Sequence, residues 1–215
     1  MINIKKWLWV LFIPYLVSAE VIIKDIKFKD PAFAACVHQT AEKNNWHSAY
    51  DVTRLKCHSM EITNAQEVTQ FSNLTYLSLY NNALSNLDLT SLNNLMELNL
   101  ANNQLEQLKI QGLSHLQKLF LFRNRLKTIN LQGLNELHTI RLMQNRLTTL
   151  DITPLLKLKT GYFFDNKLED LSITGLKQLE FLDVRQNPMP DELYDFYDKQ
   201  EGIVISHDGN ADDWK

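Results

Sequence analysis

Several things are scarce in this chain, and each scarcity removes a class of protein. Among its 215 residues are only six glycines and five prolines. That excludes a collagen-like or low-complexity chain, and a hydrophobic share of 45% is too high for intrinsic disorder. A formal net charge of -3 offers no general electrostatic reason to bind nucleic acid, so no nucleic-acid partner is expected. The two cysteines, Cys36 and Cys57, allow a single intrachain bridge and make a poor zinc site, since tetrahedral zinc wants four ligands. Six histidines show no H-E-x-x-H spacing, and neither a phosphate-cradling glycine loop nor a nucleophile elbow is present. No catalytic residue, metal or cofactor is therefore expected. A hydrolase reading rests on His58 alone and predicts turnover lost in His58→Ala.

At the N-terminus, Lys5 and Lys6 precede an apolar run of eleven residues from Trp7 to Val17, followed by Ser18 and Ala19. The order of basic, apolar and small residues reads as a secretory signal, residues 1–19, cut after Ala19. Eleven residues fall short of a hydrocarbon core of roughly 30 Å, and Pro14 interrupts the run, so no membrane anchor is expected after cleavage. The expected destination is secreted or periplasmic. An oxidising compartment favours a Cys36–Cys57 disulfide, with two buried free thiols as the alternative.

Leucine supplies 36 positions and asparagine 20, and both recur in register. Segments beginning at Leu74, Leu95, Leu116, Leu137, Leu158 and Leu179 are spaced by 21 residues. They follow L-x-x-L-x-L-x-x-N-x-L, with asparagines at 82, 103, 124, 145, 166 and 187. A degenerate unit precedes them (Val52, Leu55, Cys57, Met60, Ile62), in which Met60 replaces the asparagine. Gly161 stands where a core leucine belongs, leaving either a void or a gap filled by a neighbour such as Phe163.

This pattern resembles the leucine-rich repeat family over residues 52–189, and the looser second half of each unit resembles the nested 21-residue class found mainly in bacteria. The resemblance implies an α/β solenoid with a parallel concave β-sheet, short extended convex segments, and helical caps at both ends. Alternation in a strand sends the two leucines of L-x-L into one interior, and stacked turns build a continuous apolar column. The asparagine amides satisfy backbone groups where the chain leaves the strand, a structural duty.

Residues 20–51 read as the N-terminal cap, with Asp30 capping a helix that starts at Pro31 and presents Phe33, Cys36 and Val37 on one face. That cap resembles the one of internalin-like bacterial proteins, which implies that Cys36–Cys57 pins cap helix to first strand. Residues 190–215 read as the C-terminal cap and tail. Leu193, Phe196 and Tyr197 lie at helical spacing, Gly202 is a stop, and Ile203-Val204-Ile205 a short strand. The acidic Asp208 to Asp212 stretch lacks the glycine and glutamate of a calcium loop and reads as a frayed tail. The Asn73-Leu74-Thr75 sequon is not expected to be modified.

With the leucines inward, the alternate positions form outward columns. One runs Lys56, Ser78, Asn99, Phe120, Arg141, Tyr162, Asp183, and the next His58, Tyr80, Ala101, Phe122, Met143, Phe164, Arg185. The candidate partner-binding residues are Tyr80, Phe120, Phe122, Arg123, Arg141, Met143, Tyr162, Phe164 and Arg185, because an exposed cluster of aromatics, Met and Arg is costly in water and typical of interface hot spots. The alternative is self-stacking without a partner. The expected function is non-enzymatic recognition of a protein or peptide ligand through the concave face, with glycan or cell-wall binding as the runner-up.

Overall fold

The computed structural model describes residues 20–209. The expected export signal at 1–19 and the end of the acidic tail at 210–215 lie outside the described residues. The described chain winds as a parallel β-solenoid of about seven turns. Helix α1, Pro31–Asn44, comes first, then β1, Arg54–Lys56, β2, Tyr76–Ser78, β3, Asn86–Asp88, and β4, Glu97–Asn99. There follow β5, Gln107–Lys109, β6, Lys118–Phe120, β7, Thr139–Arg141, β8, Thr160–Tyr162, and β9, Phe181–Asp183. Helix α2, Asp191–Asp198, and β10, Val204–Ser206, close the series.

Eight strands form one sheet in the order β1-β2-β4-β6-β7-β8-β9-β10. The repeat period is the register itself. Leu77 lies opposite Leu98, Leu98 opposite Leu119, and Leu119 opposite Ile140, so the middle residue of each strand stacks on its counterpart one turn away. The degenerate first unit pairs Leu55 with Leu77, which matches its longer offset of 22 residues. On the opposite side β3 and β5 pair as a two-stranded parallel ribbon. The inward leucines form one continuous core from Ile23 to Tyr197.

Each repeat asparagine joins two turns. The Nδ2 of Asn145 donates to Leu121 O at 3.0 Å and Leu142 O at 2.9 Å, while its Oδ1 accepts from Leu126 N at 3.1 Å. Asn103, Asn124, Asn166 and Asn187 repeat this set. Each of these four is buried, so the amide replaces water that cannot reach those carbonyls. At the degenerate end, where Met60 has no amide to offer, Asn82 Oδ1 accepts from both Met60 N and Ile62 N at 3.1 Å. The residue before each asparagine turns the chain out of the strand with a left-handed backbone. These residues are Asn81, Asn102, Arg123, Gln144, Asp165 and Gln186, with φ between 54 and 58°.

The gap at Gly161 is filled. A β-carbon on Gly161 would lie 2.6 Å from Phe163 Cε2 and 3.2 Å from Leu182 Cδ1, and Phe163 has no exposed surface. The phenyl ring two residues on occupies the space of the missing leucine.

Both ends are covered. Asp30 caps α1 by accepting from Ala32 N and Phe33 N at 2.9 and 3.0 Å. Its other oxygen accepts from Thr63 N, Thr63 Oγ1 and Asn64 N at 2.7, 2.8 and 3.2 Å. One carboxylate therefore holds the cap helix to the first turn, beside the Cys36–Cys57 disulfide, whose Cα atoms lie 5.8 Å apart. At the far end the buried face of α2 is formed by Tyr194 and Tyr197, whose hydroxyls donate to Asn187 O and Leu171 O. This corrects the expected face. Phe196 is 44% exposed, because the aromatic rings that find a carbonyl partner turn inward and the purely apolar one is left at the rim. The closing strand is shifted by one residue to Val204–Ser206, since Ile205, not Val204, pairs opposite core residue Leu182. Among the described residues no helix is long and apolar enough to cross a membrane.

Candidate functional site

Strand alternation sets the phase of the sheet surface. In β6, β7 and β8 the middle residues Leu119, Ile140 and Gly161 are buried, and their neighbours point to the other face. Phe120, Arg141 and Tyr162 are register partners on three successive strands, roughly 4.8 Å apart. All three are half-buried, as are Phe122, Met143 and Phe164 in the adjoining column.

The arginines order this surface in different ways. Arg141 lies between two rings, its Cζ 5.4 Å from the Phe120 centroid and 5.0 Å from that of Tyr162, both within cation–π range. Arg185 stands 5.8 Å from the Phe164 ring. It also grips Asp183 with two donors, Nε to Oδ1 at 2.9 Å and Nη2 to Oδ2 at 2.7 Å. The Asp183 side chain is only 3% exposed, so Arg185 is its counter-ion and already has a structural duty. Arg123 sits on the left-handed turn at the edge of the sheet, exposed, with Nε donating to Gln144 Oε1 at 2.9 Å.

Tyr80 does not join this group. Ala101, with no exposed surface, separates it from Phe122 in the same column, and the Tyr80 ring packs edge-on to His58 at 5.6 Å. Phe181, absent from the sequence-derived set, does join: its ring lies 5.1 Å from that of Tyr162. The signal was present in the third outward column, which runs Arg54, Tyr76, Glu97, Lys118, Thr139, Thr160, Phe181, since a diagonal cross-strand neighbour is within reach of an aromatic ring. At the other end of that column Arg54 lies over the Tyr76 ring at 4.1 Å.

His58 lies against a buried hydroxyl. One of its ring nitrogens, Nε2, lies 2.6 Å from Ser78 Oγ, and Ser78 has no exposed surface. Burial, with Lys56 adding to it, holds the His58 imidazole below its ordinary range. The folded state therefore resists a proton that the unfolded chain accepts, and stability falls as pH drops through about 6.5 toward the lowered value. Chemical denaturation between pH 5 and 8 checks this: His58→Gln shows a shallower acid decline than wild type, and identical slopes would remove His58 from the account. Among the described residues no group of three or more His, Cys, Asp or Glu side chains could hold a metal ion.

Similar solved structures include proteins of two bacteria. Internalin C2 of Listeria monocytogenes str. 4b F2365 aligns with a TM-score of 0.58 and 22% identity, over 89% of this chain and 98% of its own. The functional domain of InlJ from Listeria monocytogenes aligns with a TM-score of 0.48 and 21% identity, over 79% of this chain and 53% of its own. A leucine-rich repeat protein of Leptospira interrogans gives 0.47 and 24%, over 67% and 51%. The chain spans about half the length of these last two. At such identities the likeness is one of fold, and the internalin C2 alignment carries it. No protein-family model matches the chain, and no curated protein sequence matches it.

Proposed function

We propose that this chain is a non-enzymatic recognition module, exported from the cell that makes it, which binds a protein or peptide through the concave face of its sheet. The observation that carries this reading is the half-buried cluster of Phe120, Phe122, Arg141, Met143, Tyr162 and Phe164 on three adjacent strands, on the face opposite the core. Such a surface gains from being covered, because desolvated aromatics and arginines supply much of the energy of protein interfaces. A rigid solenoid suits the task, since the ladder of asparagines presents the side chains on a frame that does not reorganise on binding. Export is supported by the basic, apolar and small-residue order of residues 1–19 and by the Cys36–Cys57 bridge.

The test is photo-crosslinking in the native organism, comparing wild type with a Phe122→Ala, Tyr162→Ala, Phe164→Ala triple variant. Cross-linked protein partners fall at least about tenfold in the variant, while its melting temperature stays within a few degrees of wild type. Equal capture by both proteins would take the aromatic cluster out of the reading. Binding on a defined glycan array, lost in the same variant, would assign the surface to sugars instead.

A further inference from the structure

Arg141 differs from the other two arginines of the cluster. Arg185 has a carboxylate and Arg123 a side-chain amide oxygen as acceptor. No hydrogen bond or ion pair reaches the Arg141 guanidinium among the described residues, and its Nε is buried without an acceptor. Its register partners, Phe120 and Tyr162, offer ring faces and no carboxylate. The next acid in the column, Asp183, is taken up by Arg185. Burying a guanidinium donor without an acceptor is unfavourable, and stacking on two rings compensates the charge but satisfies none of the N–H groups. What the rings do accomplish is to hold the planar fork in one orientation, so that an incoming acceptor meets donors already ordered.

We infer that Arg141 is the anchor for a single carboxylate, an Asp or Glu side chain of a polypeptide segment whose flanking residues are apolar and cover Phe122, Met143, Tyr162 and Phe164. This rests on the recognition reading above and specifies its partner. The charge pattern selects that chemistry. Arg141 is the one guanidinium of the cluster with no hydrogen-bond acceptor and it sits among rings, while Arg123 lies at the sheet edge on the Gln144 amide and the bordering acids Glu97 and Asp183 are already paired with Lys118 and Arg185. A polyanion such as nucleic acid or a polyuronate would press its further charges against the rings of Phe120, Phe122, Tyr162 and Phe164, whereas one carboxylate among apolar side chains would not. With Nε screened from solvent, the acid accepts from the terminal Nη donors, in the two-bond geometry that a guanidinium and a carboxylate share.

Selection of a displayed random 12-residue peptide library on the purified protein, followed by titration of synthetic peptides, tests this. Enriched peptides share one Asp or Glu bracketed by apolar residues. Changing that acid to its amide weakens binding to wild type about tenfold or more, and changes binding to Arg141→Met by less than about twofold. Arg141→Lys, which keeps the charge but not the fork, retains only part of the preference. Peptides that need Phe122, Tyr162 and Phe164 but show no acid preference, or an amide effect equal in wild type and both Arg141 variants, would overturn the anchor and leave the recognition surface standing. Peptides indifferent to all three aromatics would overturn both. Sedimentation showing a dimer dissolved by Arg141→Met would place a second copy of the chain there, and would also overturn an external partner.

Discussion

Replacing Gly161 by leucine, the residue the repeat pattern calls for, lowers the unfolding free energy by about 3 kcal/mol, because the new side chain competes with the Phe163 ring for one space. Replacing Phe163 by alanine costs about 4 kcal/mol through the opposite fault, an empty cavity bounded by Gly161 and Leu182. The double variant Gly161→Leu, Phe163→Leu restores the regular column and is more stable than either single variant, an outcome expected only for residues sharing one volume. In a chain of this length each single change shifts the melting temperature by roughly 6 to 16 °C. Thermal unfolding of the three variants reads this directly. A double variant less stable than Gly161→Leu would mean that the ring and the missing leucine do not exchange places.

The second large effect is at Asp30. Asp30→Ala removes the helix cap and leaves the buried donor of Phe33 and the partly buried donors of Thr63 and Asn64 without this acceptor, at a cost of about 3 kcal/mol. Burial alone would raise the Asp30 carboxyl, but the bonds from Thr63, Phe33 and Asn64 outweigh it and hold the group below its ordinary value of 3.8. The unfolded chain thus takes up this proton at a higher pH than the folded one. The contribution is fully present above the ordinary carboxylate value, near pH 4, and is lost as pH falls through the lowered one. Guanidinium unfolding at pH 7 and at about pH 3 separates the two states of the group: wild type loses more stability than Asp30→Ala over that interval. Equal acid losses would show that the latch is dispensable. Because Asp30 joins the cap helix to the first turn, its loss leaves the Cys36–Cys57 bridge and apolar packing to hold the cap, which opens at a lower free energy than in wild type.

How legible all this was in the sequence depended on whether a feature repeats. The position of Leu98 is stated again by Leu119 and Ile140, and the duty of Asn124 by Asn103 and Asn145, so period alone assigned them. The outward phase of Phe120, Arg141 and Tyr162 followed from the same alternation. Features that occur once were less readable. The choice of Tyr194 over Phe196 for the buried face of α2 turned on which ring could reach a carbonyl, and spacing carries no information about that. The separation of Tyr80 from the main cluster turned on the small residue Ala101 between them, visible as a letter but not as a gap.

The amino-acid order by itself determined the turn length and the inward and outward faces, because each is a consequence of local geometry copied every 21 residues. Only the folded chain decided how the outward charges divide. Asp183 ends β9 and Arg185 follows two residues on, and nothing in their order says that they consume each other while Arg141, flanked by rings one turn away on either side, is left with none. Whether a charge finds its partner within its own turn, as Arg185 does, or meets only rings from the neighbouring strands, as Arg141 does, depends on distances that exist only once the turns have stacked.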